Sequence, residues 1–451
     1  MTDGTRDRKN IFVLGLDDFH RRQFETIENA GDYAFHDLIG IGPVAFADEY
    51  PMDELMRSAI RTLDSFDGSV DGIVGYWDFP TSVLLPMLRE HCGLPTPSLE
   101  SVLRCEHKYW SRSIQKRVLP GMVPEFQAVD PFDESSVRAI SLDYPYWLKP
   151  VKSHSSYLGF RIHDAAERDR AIRRMREGIA HFGEPLNYAM ERADLPPDIA
   201  AVDGCHAIAE AMISTGRQCT LEGYVHDGEV VIYGIVDSVR DRKHRSTFAR
   251  YEYPSRLPVP VKKRMIDAAK AVMRETGLDG GPFNIEFYYN QPHDRLSLLE
   301  INARASKSHF PLFNLVDGAS NQQILVELAL GRRPAFPRGE GRYHAAAKFM
   351  YRRYRDAVVS HVPTEAEIDA LKAKMPGTEI LIEVDKGRRL STMAYQDSYS
   401  YEVAVIFLGG RSHESLLRRY RRLLGNLPLR FERRAAASGT GSQGTESRAR
   451  A

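Results

Sequence analysis

The sequence has few cysteines and no long apolar run, and each absence narrows the class of protein. Its four cysteines (Cys92, Cys105, Cys205 and Cys219) are scattered and form no CxxC pair, which is typical of reduced thiols in a cytoplasmic protein. No apolar stretch approaches the roughly 20 residues that a membrane-spanning helix needs. The first ten residues are polar and lack the apolar stretch of a secretory signal. We therefore expect a soluble, cytoplasmic protein.

The sequence also lacks a net charge, because Lys+Arg and Asp+Glu both number 61. Nucleic acid and anionic membranes as main partners would favour a basic footprint, so we expect neither. The one basic run, Arg240–Arg245, is interpreted as a charged, mobile loop. What the chain does have is 43% hydrophobic residues and 451 residues in all, enough for packed cores in two to three domains.

The first hundred residues alternate strand and helix patterns. Residues 11–16 and 70–76 are short apolar runs typical of buried strands, and residues 17–29 and 53–63 have helical character. This alternation predicts a βαβ arrangement with a parallel sheet. The stretch 93–98, Gly-Leu-Pro-Thr-Pro-Ser, is rich in residues that break helices and strands and marks a boundary.

After residue 106 the pattern favours antiparallel hairpins. Residues 146–151 and 158–163 predict one strand pair joined by a polar loop. Residues 220–225 and 229–236 predict another around Asp227-Gly228, a strong two-residue turn signal. A third pair is predicted at 283–289 and 296–302.

Helices and a final α+β unit complete the expected organisation. Apolar periodicity predicts helices at 261–275 and 320–330. Thr364 and Glu367 form a capping box for a helix that ends at Met375. The unit that begins near residue 343 also contains expected strands at 379–384 and 401–408 and a basic helix at 412–424.

Two acidic side chains on neighbouring predicted strands are the most informative feature. Alternation places Glu286 on one strand and Glu300, Asn302 and Arg304 on the next, all facing one side of the sheet. Like charges at this spacing are destabilising unless a cation neutralises them. Two carboxylates and an amide oxygen suit Mg²⁺ that also holds phosphate oxygens. Arg304 adds a fork for a phosphate or a developing oxyanion; the alternative is a solvated strand face.

Lys149 is the second candidate, because it lies within an otherwise apolar strand. A buried lysine is costly unless it meets an anion, and the polar turn Ser153–Ser156 that follows could cover a phosphate. An exposed lysine on an edge strand is the alternative. Lys108 is a weaker signal when taken alone.

Taken in order, these residues resemble the ATP-grasp superfamily, and most closely its L-amino-acid ligase and carboxylate–amine ligase branch. The resemblance rests on the segment Gly93–Ser98 with Lys108, on Tyr146–Val151, and on Ala209–Ile213 as the adenine hinge. It rests further on Leu221–Val225 with Asp227-Gly228, and on Glu286 with Glu300-x-Asn302-x-Arg304. It extends over residues 10–430.

The resemblance implies a mixed α/β and α+β architecture, in which two antiparallel-sheet lobes enclose ATP. The expected units are a disordered start (1–9), an N-terminal βαβ or pre-ATP-grasp domain (10–106), the ATP-grasp domain (107–340), a C-terminal α+β subdomain (341–434) and a disordered tail (435–451).

The resemblance also implies roles for individual residues. Lys108 and Lys149 would contact phosphates. The backbone at Ala211 and Ile213, with the Glu210 side chain, would recognise adenine. Three residues would hold two Mg²⁺ ions, with Mn²⁺ as a substitute: Glu286, Glu300 and Asn302. Arg304 would stabilise an acyl phosphate and the intermediate that follows it.

The implied activity is ATP-dependent amide-bond formation between a small carboxylate and an amine, with an amino acid or small peptide as substrate. A homodimer is left open. Gln218 stands where the family usually has a ribose-binding glutamate, which weakens that part of the ATP site. Ala305–His309 lacks the Gln-Val-Glu-His of biotin carboxylase-like members, which argues against carboxylation. Another acceptor (thiol or hydroxyl), carboxylase-type chemistry and a non-catalytic ATP-binding scaffold remain as alternatives.

Overall fold

The computed structural model describes residues 8–154, 157–213, 216–241, 243–244, 247–393 and 400–432. The expected disordered tail, 435–451, lies outside the described residues, as do residues 1–7 of the expected disordered start. Lys9 of that expected start already belongs to the first strand. Part of the basic run, including Arg242 and Arg245, is also outside the described residues.

The strands are β1 (Lys9–Leu14), β2 (Tyr33–Asp37), β3 (Gly72–Gly75), β4 (Phe126–Val129), β5 (Tyr146–Pro150), β6 (Phe160–Ile162), β7 (Ala207–Ala211), β8 (Arg217–His226), β9 (Glu229–Arg240), β10 (Phe248–Tyr253), β11 (Gly281–Asn290), β12 (Arg295–Asn302), β13 (Ala345–Arg353), β14 (Val358–His361), β15 (Thr378–Ile382), β16 (Tyr401–Gly410) and β17 (Arg430–Glu432).

The α-helices are α1 (Asp18–Phe24), α2 (Ile41–Ala45), α3 (Met52–Asp64), α4 (Thr81–His91), α5 (Leu99–Glu106), α6 (Lys108–Val118), α7 (Glu134–Arg138), α8 (Ala165–Gly178), α9 (Ala180–Met190), α10 (Pro197–Ala200), α11 (Val259–Thr276), α12 (Phe310–Asp317), α13 (Gln322–Ala329), α14 (Glu365–Lys374) and α15 (His413–Asn426). In the described part of the chain, we find no helix with the length and apolar character needed to span a bilayer.

The N-terminal sheet has the order β2-β1-β3 and both of its pairings are parallel, which confirms the predicted βαβ arrangement. The helix expected at 17–29 is wrong in its second half, because α1 ends at Phe24. The strand β2 that follows was not predicted. It is only partly buried, so it lacks the apolar run that identified β1.

A four-stranded antiparallel sheet, ordered β4-β7-β5-β6, forms the first of the expected lobes. Its hairpin between β5 and β6 is shorter than predicted, because β6 begins only at Phe160. Leu158 has a φ of 51°, a left-handed conformation that falls outside a strand.

The second lobe is an eight-stranded sheet with the order β12-β11-β8-β9-β10-β13-β16-β15, and all its pairings are antiparallel. The hairpin β8–β9 turns at Asp227 and Gly228, whose φ angles are 50° and 72°. A two-residue turn with both φ values positive matches the twist of the adjoining strands. The hairpins predicted around Asp227-Gly228 and at 283–302 are therefore confirmed.

The C-terminal segment extends this same sheet. Strands β13, β15 and β16 form one end of it, although they pack a separate hydrophobic core that includes Leu408, Leu416 and Leu423. The capping box at Thr364 is present, with both of its hydrogen bonds to Glu367. The boundaries of the expected domains stay predictions.

Helix α6 occupies a region for which only hairpins were expected, and α5 precedes it where no element was predicted. The side chain of Ser98 caps α5, and that of His107 caps α6 by accepting from the Trp110 N–H at 3.1 Å. Lys108 is consequently the first residue of α6, and its backbone N–H donates to the Val151 carbonyl at 3.1 Å. This contact fixes Lys108 beside the end of β5.

Candidate active site

The predicted carboxylate pair exists at the edge of the large sheet. Glu286 on β11 lies directly opposite Glu300 on β12, and Asn284 lies opposite Asn302. The amide of Asn302 donates to the Asn284 side-chain oxygen at 3.0 Å. The two carboxylates and the Asn302 side chain therefore share one face of two neighbouring strands, as the alternation predicted.

The two carboxylates differ in their ionisation. Burial and, after it, the charge of Glu300 raise the pKa of Glu286 to about 7. Burial acts in the same direction on Glu300, but Lys108, Lys149 and Lys152 outweigh it and lower the pKa of Glu300. Such a pair tolerates one full negative charge near neutral pH, and an added cation would allow both to ionise.

Lys108 lies against this pair. Its Nζ is 3.1 Å from Glu300 Oε1 and donates to the Ser153 carbonyl at 2.8 Å. Burial lowers the pKa of Lys108, and Glu300 acts against that shift. Ser153 begins the polar turn after β5. Lys108 and that turn, which the sequence indicated separately, therefore lie together in the structure.

Lys149 belongs to a buried charge network. Its Nζ is 2.8 Å from Glu210 Oε2, and Arg112 Nε is 2.7 Å from Glu210 Oε1. Burial raises the pKa of Glu210, but Arg112 and Lys149 outweigh it and lower that pKa to about 2. Strand β5 lies between β7 and β6, so the reading of Lys149 as an exposed edge-strand lysine is excluded.

The hinge residues border a cavity at the other end of the cleft. This cavity has a volume of about 390 Å³, and Met212 and Ile213 line it opposite the β11–β12 hairpin residues Asn290, Arg295 and Ser297. The backbone N–H of Ala211 donates to the Glu125 carbonyl at 2.9 Å. The Ala211 N–H is therefore engaged within the protein, and Ile213 is the hinge residue on the cavity wall.

Gln218 lies closer to the carboxylate pair than its expected ribose role implies. Its Nε2 donates to Glu286 Oε2 at 2.7 Å. Its Oε1 accepts from Arg240 at 2.6 Å and from the Tyr288 hydroxyl at 2.9 Å. The glutamine thus links Glu286 to a cation of β9, a contact that the sequence did not indicate.

Arg304 contacts the N-terminal part of the chain. One of its terminal nitrogens donates to Asp78 Oδ2, and Asp78 also lies 3.6 Å from the Lys152 ammonium. Burial raises the pKa of Asp78, but Arg304 and Lys152 outweigh it and hold that pKa far below its usual range. The Nε of Arg304 is buried and has no hydrogen-bond partner among the described residues.

Four charged residues of the site were missed at the level of sequence: Asp78, Glu106, Arg112 and Lys152. Lys152 is almost fully buried and donates to Glu106, and Glu106 lies two residues before Lys108. The polar turn after Lys149 already pointed to this place, so Lys152 had a weak sequence signal. Asp78 had none, because it is 226 residues from Arg304 in the chain.

The donor set fits Mg²⁺ only in part. Within the described ranges, no three His, Cys, Asp or Glu side chains are arranged to hold a metal. Glu286 and Glu300 supply two carboxylates, and Asn302 adds an amide. Mg²⁺ is usually held by one or two carboxylates together with phosphates and water, so these residues fit an ion that arrives with a nucleotide.

The elevated pKa of Glu286 predicts pH-dependent binding of Mg²⁺. Below pH 7 this carboxyl is protonated in the folded protein, so Mg²⁺ must displace a proton, and its affinity should fall by up to about 10-fold per pH unit. The neutral Glu286 carboxyl also contributes to the free energy of unfolding. This contribution should be fully present below the ordinary pKa of 4.5 and lost as the pH rises through about 7. Calorimetry of Mg²⁺ with ADP in buffers of different ionisation enthalpy measures the released proton. Glu286→Gln should abolish that release; an unchanged release in this variant would contradict the assignment.

The two antiparallel lobes, the hinge between them and the carboxylate face are arranged as in the ATP-grasp fold. Residues 226–333 match the family model for the ATP-binding domain of the carbamoyl-phosphate synthase L chain. The chain therefore has the ATP-grasp fold, and the resemblance stated from its motifs is confirmed.

Known proteins of similar fold share little sequence with this chain. The L-amino acid ligase from Bacillus licheniformis superposes with a TM-score of 0.68 at 17% identity, covering 95% of this chain and 100% of that one. A biotin carboxylase from Campylobacter jejuni gives a TM-score of 0.62 at 14% identity, over 94% and 93% of the two chains. The uncharacterized protein y4rH of Sinorhizobium fredii is 24% identical over 424 residues, 90% of this chain and 78% of its own length.

Proposed function

We propose that this chain is an ATP-dependent carboxylate–amine ligase that forms an amide or peptide bond and releases ADP and phosphate. The observation that carries the proposal is the face shared by Glu286, Glu300 and Asn302, with the Lys108 ammonium 3.1 Å from Glu300 and the charge of Arg304 acting on Glu286. The similar fold of an L-amino acid ligase supports an amino acid or a small peptide as a substrate.

The nucleotide would lie between the two sheets. Lys108 and Lys149 would contact its phosphates. Each ammonium would exchange its present carboxylate partner, Glu300 or Glu210, for a phosphate oxygen. The backbone of Ile213, on the wall of the cavity, and the carbonyl of Ala211 would form hydrogen bonds with the edge of the adenine ring. Glu210 would act through Lys149 and Arg112, because both of its oxygens already face these cations; this revises its expected contact with the adenine amino group. Gln218 can hydrogen-bond a ribose hydroxyl only by giving up one of its present partners.

Glu286, Glu300 and Asn302 would hold Mg²⁺, two ions when the nucleotide is bound, and Mn²⁺ would substitute. When bound, the metal neutralises the charge of the phosphate oxygens. The protein's part is then positioning and electrostatic stabilisation, which carry most of the catalysis in phosphoryl transfer.

The reaction would proceed in two steps within one cleft. The substrate carboxylate would first take the γ-phosphoryl group, giving an acyl phosphate and ADP, and an amine would then displace phosphate. Arg304 is placed to bind the charge that develops, since its Nε is a buried donor without a described partner. Collecting three reactants in one orientation supplies much of the rate.

The test is phosphate release from ATP and Mg²⁺ with pools of acids and amines, combined with mass spectrometry of the products. We expect release that requires both an acid and an amine, and a product of their summed mass less water. Release with an acid and a thiol or an alcohol, or with bicarbonate, would favour a different acceptor. ATP binding without release in any pool would identify a non-catalytic scaffold.

Lys149→Ala is expected to weaken ATP binding, because a buried cation that meets a phosphate is lost. The loss should be about 10- to 100-fold in affinity, the scale of one charge-assisted contact. Calorimetry with a non-hydrolysable ATP analogue measures it. Lys149→Ala also leaves Glu210 with one cation, so thermal melting must accompany the titration. A well-folded variant with unchanged affinity would make Lys149 a purely structural partner of Glu210.

A further inference from the structure

A second pair of lysines lies beside Arg304 and outside the nucleotide site proposed above. Lys307 opens the turn that follows Arg304, and Lys348 lies on β13. The Nζ of Lys348 donates to the hydroxyl of Ser308, the residue after Lys307, at 2.9 Å. Two ammonium groups from distant parts of the chain therefore meet at one turn.

The two lysine groups have different main charged neighbours, and the charge of Arg304 acts on both places, on Glu286 and on Lys307. The charges that act on Glu300 are those of Lys108, Lys149 and Lys152. The charges that act on Lys307 are those of Lys348, Asp17, Arg304 and Glu383. If Lys108, Lys149 and Lys152 hold the phosphates of ATP, Lys307 and Lys348 are left for a second substrate that reacts near Arg304.

The ammonium of Lys307 has no counter-ion. Its Nζ lies 3.2 Å from the ring centroid of Trp77, and the side chain is half-buried. Across the described ranges it makes neither a hydrogen bond nor an ion pair within 4.0 Å. Burial and, after it, the charge of Lys348 lower the pKa of Lys307 to about 7. A half-buried ammonium that lies over an aromatic face and has no ion-pair partner among the described residues favours an added anion.

The carboxylates around this lysine pair are engaged elsewhere. Asp17 pairs with His20, Asp78 with Arg304, and Glu402 with Arg352. Glu383 belongs to the electrostatic surroundings of both lysines, but within the described residues it forms no ion pair with either. Across the described part of the chain, Asp17, Glu383 and Glu402 therefore offset the charges of the lysine pair only without direct ion pairing, and a ligand anion can pair with both ammonium groups directly.

We propose that Lys307 and Lys348 bind an anionic group, a carboxylate or a phosphate, that is carried by a substrate other than ATP. The inference rests on the proposed ligase function and adds a substrate class to it: one partner in the reaction has a negative group besides the reacting carboxylate. The free carboxylate of an amino acid that serves as the amine fits this description, and so does a phosphorylated amine or acid. Arg304, whose charge acts on both Lys307 and Glu286, would place that substrate at the reacting centre.

The first experiment compares matched substrates in the phosphate-release assay. Each amino acid is paired with its carboxamide, which keeps the amine and removes the charge, and with a phosphorylated amine of similar length. Each monocarboxylic acid is likewise paired with a dicarboxylic acid. Wild-type kcat/KM should be at least about 10-fold higher for an anionic member of a pair, the scale of one desolvated charge contact. Preference for the carboxylate or for the phosphate identifies the source of the anion.

Variants then locate the effect. Lys307→Gln and Lys348→Gln should each raise KM for the anionic substrate by about 10- to 100-fold, with a smaller change for its neutral partner. Lys307→Arg should restore much of the affinity because it keeps the charge. Lys374→Gln is the matched control, since it removes an exposed lysine from the end of α14. Equal KM values in Lys307→Gln and wild type would overturn the proposal.

A binding measurement separates this inference from the ligase function. Inorganic phosphate and succinate are titrated by calorimetry into protein saturated with Mg²⁺ and a non-hydrolysable ATP analogue. We expect binding that is at least about 10-fold weaker in Lys307→Gln. If anion binding depends on Lys307 but no pool gives turnover, the proposed ligase function is contradicted and the proposed anion site is supported. Turnover that prefers neutral substrates would keep the ligase and overturn the anion site.

Discussion

Glu300→Gln should lose at least about 100-fold in turnover while keeping its fold, because the change removes a charge that a phosphate-bound cation requires. Gln has nearly the same shape as Glu and still contributes one oxygen, so the loss reports the charge. The change also removes the partner of the Lys108 ammonium, which lies 3.1 Å from Glu300. Phosphate release at saturating Mg²⁺, ATP and substrates measures the effect.

The same substitution should shift the titration of its neighbour. Glu300 is the second cause of the raised pKa of Glu286, after burial. Without that charge, the pKa of Glu286 should move down towards its usual range, and the proton released on Mg²⁺ binding at pH 7 should decrease. A merely structural carboxylate would also shift the pKa of Glu286, but its loss would leave turnover at saturating Mg²⁺ unchanged.

Glu275→Gln is the matched control for Glu300→Gln. Glu275 forms an exposed ion pair with Arg117 at 2.6 Å, so its loss should change stability by less than about 1 kcal/mol and leave turnover intact. Thermal melting with and without Mg²⁺ completes the comparison. Wild-type turnover in a folded Glu300→Gln variant would remove this residue from the metal site.

The carboxylate face could be predicted because its information is local. Strands β11 and β12 are joined by a short hairpin, so the period of two within each strand is enough to place Glu286 opposite Glu300. The turn at Asp227-Gly228 could be predicted for the same reason, since its two residues tolerate positive φ. Motifs of this kind carry their geometry within a few residues.

The missed elements violate local rules or depend on distant partners. Helices α4 and α9 contain Pro86 and Pro185 in their interiors, where proline usually ends a helix. The contact between Asp78 and Arg304 joins residues 226 positions apart, and no local pattern encodes it. The two lysines of the proposed anion site are likewise brought together only by the packing of the turn at Lys307 against β13.

Arg304→Lys should slow ligation by about 2–4 kcal/mol of transition-state stabilisation, the scale observed when one oxyanion donor is lost. Arginine presents a planar fork that contacts two oxygens, whereas lysine keeps the charge and loses that geometry. One terminal nitrogen of Arg304 already donates to Asp78, and its buried Nε has no partner among the described residues. The guanidinium is thus anchored at one terminal nitrogen, and its Nε is a donor that no described residue uses.

Ground-state binding of ATP should change little in Arg304→Lys, because Lys108, Lys149 and the metal would hold the nucleotide. The prediction is therefore a fall in kcat with a nearly constant affinity for the ATP analogue, measured by single-turnover kinetics and calorimetry. Arg117→Lys, which alters only an exposed pair, serves as the control.

Asp78→Asn separates the two possible roles of Arg304. If the arginine only joins two parts of the fold, Asp78→Asn and Arg304→Lys should lower the melting temperature alike and leave the rate per folded molecule unchanged. A rate defect in Arg304→Lys at normal stability requires that the unpaired Nε side of the guanidinium meets the reacting group.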